Sequence, residues 1–281
     1  MPRILIFLLT ILILGFGFYF ISKEKEIMIE ETETKLEVTL KGAEGKISII
    51  TCYDNYLADS RLKTGWGFSV LIKSGNQNIL FDTGADSETL LFNMENMERD
   101  PKKVNTIVLS HIHGDHIGGL KGFLKKNANL TVYIPASFPD LIRKEIESYG
   151  AKYKDIKGTE KISEGVYSTG ELYGPPKEQS LIVNSKKGLI VITGCAHPGI
   201  VNIVKKAKEM FPNEDVYLVL GGFHLTGASD SELKSIINDF RKLDVQKAAP
   251  CHCSGDRCRE LFKEEYGDNF IENGVGKIIE I

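Results

Sequence analysis

The chain has no strongly basic block and no net positive charge: 35 Lys and Arg stand against 38 Asp and Glu, leaving a formal charge of −3. A general electrostatic attraction for nucleic acid is therefore missing, since that attraction grows with the phosphates a basic surface neutralises. No nucleic acid partner is expected. No fixed repeat period is present, which argues against a solenoid. Cysteine is scarce and odd in number: Cys52, Cys195, Cys251, Cys253 and Cys258. Such a set makes no disulfide framework for 281 residues and is compatible with a reducing compartment. The remaining balance, 42% hydrophobic and 26% charged, is that of an ordinary globular protein.

One stretch lacks charge altogether. Ile4–Ile21 runs uncharged for 18 positions, near the lower limit of the roughly 17–25 residues that a membrane-spanning helix needs. It is apolar on every face and N-terminal, so it reads as a single-pass membrane anchor rather than a buried core helix. A cleaved signal peptide is the stronger rival. Against it, Gly15 and Gly17 lead into Phe18, Tyr19 and Phe20 rather than a small-residue cleavage site, and no nearby Cys could carry a lipid. Arg3 on one side nearly balances Lys23 and Lys25 on the other, which leaves the side of the membrane open. The expected organisation is an anchor at 1–22, a charged linker at 23–45 and a catalytic domain at 46–281.

Within that domain, short β-branched or aromatic runs bounded by Gly, Asn or Asp read as strands. They fall at Lys46–Cys52, Gly67–Lys73, Gln77–Phe81, Val104–Leu109, Leu130–Ile134, Leu189–Thr193, Val216–Leu220, Gln246–Ala249 and Gly276–Ile279. Between them, apolar residues recur at helical spacing around Leu90–Met97, Ile117–Leu124, Leu141–Tyr149 and Ile200–Ala207. Another helix is expected over Leu233–Phe240, behind a capping box at Ser229 and Glu232. Gly158–Gln179 reads as an irregular excursion with one short strand. The histidines follow strand runs, where a layered α/β domain collects its site residues.

The densest signal is His111, His113, Asp115 and His116, four ligand-type residues within six positions. Imidazole and carboxylate together suit zinc and related transition metals. His111 and His113, two apart on an extended segment, point the same way. Gly114 then lets the chain turn, so that Asp115 and His116 can address a second cation. A lone histidine would more simply be a core or surface residue, but four together are not so explained. A rival small zinc site could be drawn from Cys251, His252, Cys253 and Cys258, although the spacing lacks the usual cysteine pairs. Packed cysteines beside His252 are the preferred reading.

His111, His113, Asp115 and His116 after a strand resemble the signature of the metallo-β-lactamase superfamily, and Asp82, Thr83 and Gly84 resemble its Asp-Thr-Gly turn. The segments Gly194–Gly199, Gly221–His224 and Pro250–Ser254 look like one branch of it. That branch includes archaeal dihydropterin–ribofuranosylaminobenzene phosphate synthases of methanopterin biosynthesis and many proteins called metal-dependent hydrolases. The resemblance implies an αββα four-layer sandwich with two divalent cations at one edge, zinc first, with magnesium or manganese as alternatives. It also implies that His111, His113 and His197 hold one cation and Asp115, His116 and His252 the other. Asp115 would in addition orient the nucleophile. Asp82 would hydrogen-bond a ligating histidine from behind. The superfamily's bridging aspartate has no counterpart after Val216–Leu220, where His224 stands instead, expected to contact the cations or the substrate. Asp54, Asn55 and the region of Trp66 are candidates for substrate contacts.

Paired cations can activate a water and polarise a substrate. The implied activity is hydrolysis of a small molecule. Alternatives are a pterin transferase joining a dihydropterin-methyl diphosphate to a ribofuranosylaminobenzene phosphate, and a non-enzymatic, membrane-tethered metal sensor.

Overall fold

Consecutive strand residues serve different cores, because side chains alternate across a strand. Ile49 packs between two sheets with Val70, Ile72, Ile79, Phe81 and Val108, against Leu181, Val183, Ile190, Ile192, Leu218 and Leu220 from the second sheet. Its neighbour Ile50 faces the other way and joins Leu71, Leu80, Ile107 and Leu109 beneath Leu90, Met94 and Phe123. Each such side chain, fully buried, contributes about 1.5–3 kcal/mol. A slip of one residue in pairing would exchange the two cores, which fixes the register.

The computed structural model describes residue 23, residues 42–43 and residues 45–281. The Ile4–Ile21 run and nearly all of the expected linker lie outside the described residues. Among the described residues no helix is long and apolar enough to cross a membrane. Gly42–Ile281 forms one unit, beginning slightly before the expected boundary at 46.

The first sheet holds β1 (Ile47–Tyr53), β2 (Ser69–Ser74), β3 (Gln77–Phe81), β4 (Thr106–Val108), β5 (Thr131–Pro135), β6 (Lys152–Ile156) and β13 (Ile278–Glu280). Its order is β13-β1-β2-β3-β4-β5-β6. The second sheet holds β7 (Glu160–Ser163), β8 (Val166–Ser168), β9 (Leu181–Ser185), β10 (Gly188–Thr193), β11 (Val216–Gly222) and β12 (Lys247–Cys251). Its order is β12-β11-β10-β9-β8-β7. Helices α1 (Ser87–Asn96), α2 (Gly114–Ile117), α3 (Leu120–Lys126) and α4 (Asp140–Ser148) belong to the first half. Helices α5 (Ile200–Met210), α6 (Asp230–Lys242) and α7 (Asp256–Tyr266) belong to the second. There Phe262 meets Phe223 and Phe240 edge to face, and those two rings are tilted to each other, with centroids 5.3–5.7 Å apart, between β11 and the helices α6 and α7. The layers are thus helix, sheet, sheet, helix, as expected.

The capping box is present, with Glu232 N donating to Ser229 Oγ at 3.3 Å. Several elements differ from the sequence reading. The 158–179 excursion carries β7 and β8 rather than one strand, and β6, β9 and α7 are additional. The helical run expected from Ile117 to Leu124 divides into α2 and α3 around Gly118 and Gly119.

In each sheet a parallel half sets up the site. Strands β3 to β6 run parallel, as do β10, β11 and β12. Parallel neighbours present their C-terminal ends on one edge, where open α/β sheets bind ligands. Asp82 follows β3, Ser110 and His111 follow β4, Cys195 and His197 follow β10, His224 follows β11, and His252 follows β12.

Candidate metal centre

The proton positions at the centre follow from its hydrogen bonds. Ser110 N and Ser110 Oγ both donate to Asp82, at 2.7 Å each. Having donated its only hydrogen, Ser110 Oγ accepts from His111 Nδ1 at 2.8 Å. His116 Nδ1 donates to Asp82 Oδ2 at 2.7 Å. His252 Nδ1 donates to Asn55 Oδ1 at 3.2 Å. Each of these three imidazoles spends one nitrogen on an oxygen behind it and turns Nε2 toward a common space. That is the arrangement of ligating histidines, whose second nitrogen is held by an outer acceptor.

Two sets of donors occupy this space. His116 Nε2 lies 3.2 Å from His252 Nε2 and 3.6 Å from Asp115 Oδ2, while His252 Nε2 is 3.3 Å from the same oxygen. His111 Nε2 lies 3.1 Å from His113 Nδ1, and the His197 ring stands 4.7 Å from His111 and 4.9 Å from His113. His197 Nε2 is buried with no hydrogen-bond partner. The fold thus brings Asp115, His116 and His252 together, with His111, His113 and His197 beside them. His224, exposed, lies at their border with its ring 4.4 Å from that of His197.

The electrostatics suit a cation. Burial alone would push His116 down, but the Asp82 and Asp115 carboxylates raise it above the ordinary histidine range, so its surroundings favour positive charge. Burial and the neighbouring imidazoles push His111 far down, and hold His197 at about 4. Burial would raise Asp115, yet the adjoining His252 and His116 rings hold it at about 2, a standing anion.

Two thiols and one carboxylate complete the centre; the sequence reading weighs Cys253 only for the rival cysteine site and beside His252, and singles out neither Cys195 nor Glu178 as a site residue. Cys195 Sγ is 3.2 Å from His116 Nε2. It groups with Asp115, His116 and His252, with His111 and His197, and with His224 and Cys253, the donor atoms of each group lying within 4.8 Å of one another. The mutual hydrogen bond of Cys195 and Cys253, together with burial, pushes Cys195 up, while that bond and His224 hold Cys253 down. Glu178, fully buried, lies under the turn that carries Cys195 and His197. Its Oε1 accepts from the backbone N–H groups of Gly194, Cys195 and Ala196 at 2.9–3.1 Å, and Oε2 accepts from His197 N at 2.8 Å.

Backbone strain concentrates here. Asp82, Ala196, His224 and His252 all have φ between 49° and 61°, a region that side chains other than glycine rarely adopt. The two remaining cases among the described residues, Glu98 and Asp244, sit just past the ends of α1 and α6, where left-handed residues are common.

The other candidates resolve differently. Asp54 is fully buried, bonds Tyr56 N at 2.8 Å through Oδ1, and is pushed up to about 6 by burial. Asn55 bonds both the ring and the carbonyl of His252. These contacts make Asn55 a support for His252 and keep Asp54 beneath the site, instead of offering both to a substrate. The exposed Trp66 ring lies 5.0 Å from His252. The rival cysteine site does not form: among the described residues no donor group includes Cys251 or Cys258, and Cys251 Sγ bonds Asn273 Nδ2 at 3.2 Å.

Comparison with known proteins gives the same picture. Residues 65–205 match the profile of the Metallo-beta-lactamase superfamily. The chain is similar to the 7,8-dihydropterin-6-methyl-4-(beta-D-ribofuranosyl)-aminobenzene-5'-phosphate synthase of Methanocaldococcus jannaschii, 29% identical across 81% of this chain and 93% of the relative. An uncharacterized protein of the same organism is 33% identical across 76% of this chain and 93% of its own length. The crystal structure of a metal-dependent hydrolase of the beta-lactamase superfamily superposes with a TM-score of 0.72 at 28% identity, covering 84% of this chain and 99% of that one.

Proposed function

The chain belongs to the metallo-beta-lactamase superfamily, and on that premise we propose that it is a metal-dependent hydrolase of a small molecule, working where Asp115, His116 and His252 meet His111, His113 and His197. The observation that carries this reading is the convergence of unblocked imidazole nitrogens, three of them fixed from behind by Asp82, Ser110 and Asn55. A pair of divalent cations, when bound there, supplies Lewis acidity and lowers the pKa of water. His111, His113 and His197 would hold one of them, and Asp115, His116 and His252 the other. Zinc suits the imidazole-rich set better than magnesium or manganese.

The chain's own residues do the rest. Asp115 stays ionised well below neutral pH and is part-exposed, so it can accept a hydrogen from an attacking water and orient it. Trp66 offers a flat apolar wall beside His252. A second reading, group transfer joining a pterin to an aminobenzene phosphate, is favoured by the similarity to the synthase over 81% of this chain. The same donors would serve it by binding an anionic leaving group.

Purified protein should be analysed for metal and assayed on phosphodiesters, lactones and thioesters. A parallel assay supplies a dihydropterin-methyl diphosphate with a ribosylated aminobenzene phosphate. Metal-dependent hydrolysis that Asp115→Asn abolishes supports the first reading, and a joined product the second. Metal binding without turnover of any of these substrates would reject both in favour of a binding module.

A further inference from the structure

We propose that Cys195, as a thiolate, is the ligand shared by the two cations, standing in for the absent bridging aspartate. The inference rests on the two-cation reading above.

The first argument is steric. The end of β11, where the resemblance would place the aspartate, holds Gly221 and Gly222. A Cβ at Gly222 would lie 2.4 Å from Gly194 O, 2.6 Å from Cys253 Sγ and 3.2 Å from His252 Cδ2. No side chain fits there, because the ends of β10 and β12 already fill the volume. An anionic ligand must come from those neighbours.

The second argument is position. Among the described residues, Cys195 alone belongs both to the group with Asp115, His116 and His252 and to the group with His111 and His197. Cys253 belongs to neither and groups only with Cys195 and His224.

The third argument is fixation. Cys195 N donates to Glu178 Oε1 at 3.0 Å, its neighbours donate to the same carboxyl, and Gly222 N donates to Gly194 O at 3.1 Å. The sulfur is held in place by backbone bonds on both sides, not by a mobile loop.

The fourth is charge. Asp115 is the only carboxylate in the two groups, and the histidines are neutral when they ligate. A shared thiolate adds the anion that two dications need. On binding, the S–H bond gives up its proton to solvent and the sulfur lone pairs form both metal bonds. A soft ligand at the shared position selects zinc or cobalt over magnesium and manganese.

The test uses the full-length protein and cobalt(II) alone as the probe. Sulfur-to-cobalt charge transfer in the near ultraviolet should grow through both the first and the second equivalent. It should persist in Cys253→Ser and vanish in Cys195→Ser, with cobalt stoichiometry falling from two toward one. X-ray absorption of the zinc-loaded wild type needs no variant and should show about one sulfur per zinc, near 2.3 Å. Half a sulfur per zinc, or a band that saturates at the first equivalent, would make the thiolate terminal and overturn the proposal. A band that survives Cys195→Ser would assign the sulfur to another residue. Two bound cobalt ions with no sulfur signal would reject Cys195 while leaving the two-cation reading intact. Failure to bind cobalt at all would reject both.

Discussion

His116 and His252 meet nitrogen to nitrogen, their Nε2 atoms 3.2 Å apart, although 136 residues separate them in the chain. With Nδ1 of His116 committed to Asp82 and Nδ1 of His252 to Asn55, each ring presents a lone pair to the other. Two lone pairs at that distance repel unless a positive charge lies between them, and Asp115 supplies negative charge alongside. The pair is therefore a place where a cation stabilises the surrounding structure, and its supports should be as sensitive as its ligands.

Asp82 is the first of these supports. It holds His116 directly and His111 through Ser110, so Asp82→Asn should weaken zinc binding on the order of 10–100-fold while the fold persists. Competition with a chromophoric chelator measures this. Unchanged affinity would mean that the outer hydrogen bonds do not orient the imidazoles.

His113 is exposed and has no role in the core, so His113→Ala should leave thermal stability within about 0.5 kcal/mol of wild type before metal is added. Metal content per chain should fall, and turnover with it. Elemental analysis of the purified variant decides; wild-type metal content would remove His113 from the ligand set.

Glu178 satisfies four backbone N–H groups of the turn bearing Cys195 and His197. Removing it in Glu178→Ala leaves buried donors unpaired, at about 1–3 kcal/mol each where no water replaces it. Urea unfolding should show a loss of about 3 kcal/mol or more. Glu178→Gln keeps an acceptor oxygen and should lose less. Equal losses in the two variants would argue against this account of the turn.

Asp86 caps α1, accepting from Thr89 N at 2.7 Å and from Tyr53 Oη at 2.8 Å. Burial would raise its carboxyl, but these donors together hold it below the usual carboxylate range. A carboxyl with a lower pKa folded than unfolded stabilises the fold above its unfolded value. That contribution is lost as pH falls through the folded value. Asp86→Ala should therefore cost about 0.5–2 kcal/mol at neutral pH. The gap to wild type should narrow below about pH 4, read from unfolding curves across pH. A gap independent of pH would assign the effect to geometry alone.

The uncharged run Ile4–Ile21 motivates a prediction about the whole chain. Expressed full-length, the protein should sediment with membranes and resist extraction by salt, yielding to detergent. N-terminal sequencing should begin before residue 21; a mature start beyond it would show cleavage instead of anchoring.

How far the sequence could be read depended on whether each signal was local. His111, His113, Asp115 and His116 were legible because one strand-to-helix turn carries all four. Strands such as Gln77–Phe81 were legible because their apolar residues are continuous or alternate. Strand β6 gives no such signal: Lys152, Lys154 and Asp155 are exposed on an edge, and only Ile156 is buried. In α7, Cys258, Leu261, Phe262 and Tyr266 do recur at helical spacing, but the cysteines beside His252 draw attention to a different chemistry. The places of Cys195 and Glu178 were out of reach for another reason. Each acquires its role only when the β9–β10 pairing brings residue 178 beneath the turn at 193–197, a contact that no spacing encodes.

The strand ends on one edge carry the donors, while the segments between them rise free of the sheets. Trp66 lies on one such segment, 57% exposed, and Tyr173 on another, 87% exposed, beside a glycine that leaves room for the backbone of His197. Neither side chain supports a strand. Both are therefore positions where side chains can be exchanged without loss of core packing. With Asn55 kept as the support of His252 and Gly174 kept clear of the His197 backbone, a library confined to Trp66 and Tyr173 should leave the metal floor unaltered.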